Sequence, residues 1–258
     1  MLRRIAAGLA LALLLLAASA ARASDPNALW RIVHDHCVPE QQAHERPLPC
    51  ESVSVEGGWA LLKDRNGVAQ FLLIPTARVS GIEDRALLAP DAPDYFAAAW
   101  AARGDVLARL ERPLPRDALS LAINSAAGRS QNQLHIHIDC LRPDVRAALH
   151  VEAGRIGTAW APFPHGLLGR PYLARRVEQA DLAGVNPFRL LADAPQVGAA
   201  GIGDWTLVVA GAAFQDGDAQ GTRDGFILLA DRADPGRGDR GNGEGLQDHA
   251  CTLAHAIE

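Results

Sequence analysis

The sequence predicts an α+β protein: an antiparallel sheet with one long helix, extended by a C-terminal α+β half. Three observations carry this. An Asn66-Gly67 turn separates two apolar segments. Phe96, Ala99, Trp100, Leu107 and Leu110 recur at helical spacing. Two further apolar stretches bracket a loop bearing glycine and arginine. In chain order, residues 27–36 read as a short helix. Residues 53–62 alternate and run into Asn66-Gly67, a pair suited to the positive φ angles of a tight hairpin, and residues 68–75 return as the partner strand. Residues 93–110 form the long helix, with its aromatic side chains expected in the core. Residues 119–124 and 134–141 are the next strands. After them the pattern predicts a helix near 144–153, a short strand around Trp160 and a helical stretch over 176–193 broken near Pro187. A strand pair, 204–210 and 226–230, follows, joined by a loop rich in Gly and Asp. Residues 234–245 are so rich in glycine that a mobile surface loop is expected. A calcium reading of that loop lacks the nonapeptide repeat it would need.

A chain of 258 residues can bury one substantial core or two smaller ones in contact. Its net charge is −5, and loss of a leader holding Arg3, Arg4 and Arg22 would take it to −8. Such a balance argues against nucleic acid as a partner, because phosphate backbones are bound by concentrated basic surface. One nucleotide in a local pocket remains compatible with it. Lys63 is the only lysine and, placed before a turn, is expected at the surface. Cationic work therefore falls to arginine, whose planar fork matches phosphate oxygens.

Met1 to Arg4 is basic, residues 5–21 are uncharged and leucine-rich, and Ala21-Arg22-Ala23 resembles a cleavage site. This is the pattern of an export signal. The uncharged run of 17 residues also sits at the lower limit for a membrane span, so residues 1–23 are a signal peptide or an N-terminal anchor. In either case Arg3 and Arg4 stay on the cytoplasmic side and the body lies beyond the membrane. Four cysteines suit an oxidising compartment. Cys37 and Cys50 close a short loop containing three prolines and are expected to pair, which leaves Cys140 with Cys251. No Cys-x-x-Cys spacing points to a metal or redox site.

The segment from Asn124 to Asp139 carries the chemistry. On a strand, His135 and His137 face one side while Leu134, Ile136 and Ile138 face the other. The preceding Gly128, Arg129, Ser130, Gln131 and Asn132 offer backbone donors, a guanidinium, a hydroxyl and amides, the groups that hold phosphate oxygens. Three accounts of the histidine pair stand side by side. One imidazole attacks phosphorus; or His135, His137 and Asp139 bind a metal as N, N and O ligands; or the histidines are incidental on a surface strand.

Residues 133–138 resemble the His-φ-His-φ-His signature of the histidine-triad (HIT) superfamily, with Gln133 where the first histidine would stand. The longer block from Ser120 to Val145 resembles one branch, the CDP-diacylglycerol pyrophosphatases. Residues 62–67 with 70–76, and Tyr172 to Arg176, agree with it. The resemblance implies a HIT-like core over residues 24–152, with residues 153–258 packed on it. It implies hydrolysis of CDP-diacylglycerol to CMP and phosphatidate through a nucleotidyl-histidine, without a cofactor or metal. His135 takes the middle position, that of the nucleophile, with His137 as its brace. A register shifted by two, making His137 the nucleophile and Asp139 the brace, stays open. Asn124, Arg129, Ser130, Gln131 and Gln133 are the expected phosphate and nucleotide contacts. The implied location is the inner membrane, with the catalytic body in the periplasm and the lipid bilayer as its working surface. A periplasmic HIT-type hydrolase or transferase acting on soluble nucleotides is the alternative, and a binding module without turnover is disfavoured by the intact histidines. Oligomeric state is not legible.

Overall fold

The computed structural model describes residues 25–215 and 221–256. The leader and its cleavage site lie outside this range, as do residues 216–220 of the loop expected between the two strands of the late pair. Among the described residues no helix is long and apolar enough to cross a membrane.

The chain opens with a helical rod: α1 (Ala28–Arg31), a π-helical segment (Ile32–Cys37) and α2 (Val38–His44). It runs on to His44, past the expected end at residue 36. Strands β1 (Ser52–Ser54), β2 (Trp59–Lys63) and β3 (Phe71–Pro75) follow. The single strand expected over 53–62 is thus split, because Gly58 turns the chain at φ +69° and Ser54 Oγ accepts from Gly57 N–H. Gly67 does adopt φ +68°, but β2 and β3 stop short of it. Val68 N–H instead donates to His249 C=O, so the turn is pulled toward the C-terminal segment. Lys63 is half-buried, its ammonium donating to the Asp64 and Gly67 carbonyls, which corrects the expectation of an exposed side chain.

The long helix is two helices, α3 (Tyr95–Ala101) and α4 (Arg103–Leu110), meeting at Ala102, where ψ relaxes to −5°. Gly104, just beyond the joint, is a poor helix former and weakens continuation. Strands β4 (Leu119–Ile123) and β5 (Ile136–Cys140), helix α5 (Pro143–Glu152) and strand β6 (Ala161–Pro162) come next. Leu173–Val177 is strand β7, not the start of a helix, and only α6 (Pro187–Ala192) is helical in that stretch. Five residues of β7 pair with the last strand, and those ladder bonds override a weak helical pattern. Strands β8 (Leu207–Gln215) and β9 (Thr222–Ala230) are longer than expected, and α7 (Leu253–Ala256) ends the described chain.

All nine strands form one antiparallel sheet in the order β1-β2-β3-β5-β4-β8-β9-β7-β6. Alternation gives the sheet two unlike faces. On one face Leu61, Phe71, Leu73, Leu121, Ile136, Ile138, Val209 and Leu228 build a continuous core with Phe96, Trp100 and Val106 of α3 and α4. The other face carries two separate apolar clusters. Ala60, Leu72 and Ile74 pack under the N-terminal rod, whereas Ala122, Val208 and Ala210 pack under Val145 and Leu149 of α5. The histidine strand lies between them, with His137 flanked by Leu72 of β3 and Ala122 of β4.

Candidate active site

The polar strip on this second face begins with the two histidines. Their rings stand edge to face, with centroids 4.9 Å apart, and both are buried. His135 Nδ1 lies 2.7 Å from the Gln133 carbonyl. A carbonyl can only accept, so Nδ1 carries the ring proton and Nε2 keeps its lone pair. Burial, reinforced by the neighbouring His137, lowers the pKa of His135 to about 4. Burial likewise lowers His137 to about 4, against the opposing pull of Asp64. Both rings are therefore neutral at physiological pH, the form in which imidazole is a nucleophile or base.

His137 is held from its other side. Its Nδ1 is 3.2 Å from Glu244 Oε2 and 3.2 Å from Gln70 Nε2. Its Nε2 is buried without a hydrogen-bond partner. Glu244 is in turn locked to Asn124: Asn124 Nδ2 donates to Glu244 Oε1 at 2.9 Å, and Glu244 N–H donates to Asn124 Oδ1 at 3.3 Å. Further along the strand, Asp139 is fully buried, accepting from His249 Nδ1 at 2.7 Å and from Cys140 N–H at 2.8 Å. Gln247 Nε2 donates to the His137 and Ser120 carbonyls.

Of the residues singled out from sequence, His135, His137 and Asn124 converge. The loop groups do not. Arg129 Nη1 is paired with Glu83 Oε2 at 2.6 Å, and Ser130 is exposed. Gln131 braces the N-terminal rod through the Leu29 N–H and the Asp25 carbonyl. Gln133 is fully buried, its amide joined to the Pro75 and Ala77 carbonyls and to Val79 N–H. It serves the site through its own carbonyl rather than its side chain. Asp139 is committed to His249, so it does not brace His137. The only three potential metal ligands that converge among the described residues are Asp139, Cys140 and Cys251. Both sulfurs there are in a disulfide, so this group offers no thiolate.

Glu244, Gln70, Gln247 and His249 were not found from sequence. Glu244 sits in the glycine-rich loop expected to be mobile. That loop instead packs on the strand ends: Ser125 N–H donates to the Gly241 carbonyl, and a Cβ on Gly243 would lie 2.6 Å from the Ile123 carbonyl. Its glycines permit close backbone approach. A cleft of about 580 Å³ beside β7 and α6 lies four strands from β5, away from the histidines.

A family model for CDP-diacylglycerol pyrophosphatase matches residues 24–255. The chain belongs to the CDP-diacylglycerol pyrophosphatase family. A CDP-diacylglycerol pyrophosphatase of Yersinia pestis is 42% identical over 232 residues, covering 90% of this chain and 86% of the relative. The similarity thus spans both the histidine strand and the C-terminal segment that carries Glu244, Gln247 and His249.

Proposed function

We propose that this protein hydrolyses the pyrophosphate bond of CDP-diacylglycerol to CMP and phosphatidate through a nucleotidyl-histidine on His135. One observation carries the covalent route: the Gln133 carbonyl fixes the proton on His135 Nδ1 and leaves the Nε2 lone pair for phosphorus. In the first step Nε2 attacks the phosphorus bearing cytidine. An N–P bond forms, the P–O bond to phosphatidate breaks, and phosphatidate leaves with the electron pair. The ring becomes cationic, and its Nδ1–H bond to the carbonyl steadies it. Water then attacks phosphorus and releases a proton to solvent, the N–P bond breaks with its electron pair returning to Nε2, and CMP departs. The shifted register is disfavoured because its brace, Asp139, is held by His249. Phosphate contacts by Ser130 and Arg129 require their loop to move toward the histidines, with a phosphate replacing Glu83 as the partner of Arg129. No step calls on a cofactor or metal.

Residues 24–152 form the catalytic core in this reading, and residues 153–258 complete it, since Glu244 and Gln247 reach the histidine strand. We place the enzyme in the periplasm at the inner-membrane surface, where two disulfides are at home. A substrate with two acyl chains must be drawn partly from the bilayer, at about 0.8 kcal/mol per exposed methylene.

His135→Ala should abolish CMP release, and labelled substrate should leave acid-labile nucleotide on the wild-type protein only. Near-normal turnover by His135→Ala with loss in His137→Ala would transfer the nucleophile to His137. Faster cleavage of short-chain CDP-alcohols than of the lipid would move the substrate to soluble nucleotides.

A further inference from the structure

We infer that the cleft beside β7 and α6 is a second binding site, one for an organic phosphate, with Arg175 as its principal anion contact. The cleft holds about 580 Å³, and roughly 300–1,000 Å³ is common for small-molecule sites. The guanidinium groups of Arg175, Arg176 and Arg189 line it, against two carboxylates, Glu178 and Asp193. The whole chain has a net charge of −5, so this basic concentration runs against the balance of the molecule.

Neither carboxylate engages Arg175. Glu178 Oε1 is taken by Arg176 Nη2 at 2.9 Å, and Asp193 is exposed. Among the described residues the half-buried Arg175 side chain has no ion pair or hydrogen bond. Its Cζ lies 5.8 Å from the centre of the Trp160 ring, and its Nε is buried without a partner. Burial lowers its pKa, because the charge has lost part of its water and gained no counter-ion. An oxyanion in the cleft would offset that cost with charge-assisted hydrogen bonds.

Arg189 is fixed in advance. Its Nη2 donates to the Leu88 and Ala89 carbonyls at 3.3 and 2.8 Å. Carbonyls orient a guanidinium without neutralising it, so Arg189 keeps its charge for the cleft. Its planar fork and that of Arg175 match phosphate oxygens. Val185 and Leu190 give the same cleft an apolar wall, which suits the carbon skeleton of an organic phosphate. Two sources share this chemistry, the headgroup of an anionic phospholipid and a soluble phosphate ester. With four strands between β7 and β5, the site stands apart from the histidines.

Inorganic phosphate titrated into the wild-type protein should shift the Arg175 Nε–H resonance and saturate, whereas chloride at equal ionic strength should not. Arg175→Gln should weaken phosphate binding on the order of tenfold, while its retained turnover of detergent-dispersed CDP-diacylglycerol shows that it folds. Arg175→Lys, which keeps the charge and loses the fork, should fall between. If the glutamine variant does not fold, the wild-type titration decides alone. Glycerol 3-phosphate and phosphatidylglycerol vesicles, with phosphatidylcholine vesicles as the neutral control, separate the two sources. Loss of phosphatidylglycerol binding in Arg175→Gln assigns the site to a lipid headgroup. Loss of glycerol 3-phosphate binding with vesicle binding intact assigns it to a soluble ester. A resonance that does not saturate with phosphate, or equal phosphate affinity in wild type and Arg175→Gln, would overturn the inference.

Discussion

Burial acts on His135 and His137 in the same direction, and it sets a measurable pH dependence. Both rings titrate near 4 in the folded protein, against about 6.5 for an unperturbed histidine. The catalytic rate should therefore hold as pH falls through the ordinary histidine range and drop only toward about 4. An acid limb centred near 6.5 would mean that the rings are hydrated in the working enzyme. Stability follows the same asymmetry. Between the two pKa values the unfolded chain binds more protons, so stability is full above the unfolded value and is lost as pH falls toward about 4. The loss is on the order of 3 kcal/mol per ring, read as the shift of the urea midpoint with pH and reduced in His137→Asn. His249 works the other way. Its bond to Asp139 raises its pKa, so the stability it contributes is present at low pH and fades as pH rises through the folded value.

At the scale of elements, the glycine-rich loop matters most to the site. Gly243 permits backbone contact that delivers Glu244, whereas Gly245 is exposed and its nearest neighbour, Asn242 Cγ, is 4.0 Å from where a Cβ would be. Gly243→Ala should lower turnover on the order of 10²-fold by displacing Glu244, and Gly245→Ala should keep wild-type turnover. Equal effects at both positions would mean that the loop needs flexibility rather than close approach. Local pattern misread this loop because glycine serves mobility and tight packing alike. It also missed β7 and started a helix at its last two residues, Arg176 and Val177, which β9 instead holds as ladder partners. The histidine strand was legible because period-two alternation of Ile136, His137, Ile138 and Asp139 is read directly from neighbours in sequence.

For the whole molecule, the disulfides divide the work unequally. Cys37–Cys50 closes a separation of 13 residues and ties the N-terminal rod to the chain ahead of β1, whereas Cys140–Cys251 closes 111 and ties the C-terminal segment to the end of β5. In the chain-entropy model these contribute about 3 and about 5 kcal/mol. Replacing Cys140 and Cys251 by alanine should cost more stability in urea than replacing Cys37 and Cys50. It should also lower turnover, because Gln247 and His249 depend on that attachment. A larger loss from the Cys37/Cys50 pair would show that the rod, not the C-terminal segment, limits unfolding.

Sequence by itself determined the α+β class, the central strands, the histidine face and the kind of chemistry, because each rests on spacing between residues close in the chain. The long block around the histidines also determined the family. Tertiary structure alone decided which groups surround those histidines. Arg129 and Gln133, neighbours of the motif in sequence, are drawn into contacts with Glu83 and with the loop after β3, while Glu244, Gln247 and His249 arrive from the far end of the chain. The physical reason is that a buried polar atom must find a partner wherever the fold places one. Strand pairing, rather than order along the chain, brings β4, β5 and the C-terminal segment together.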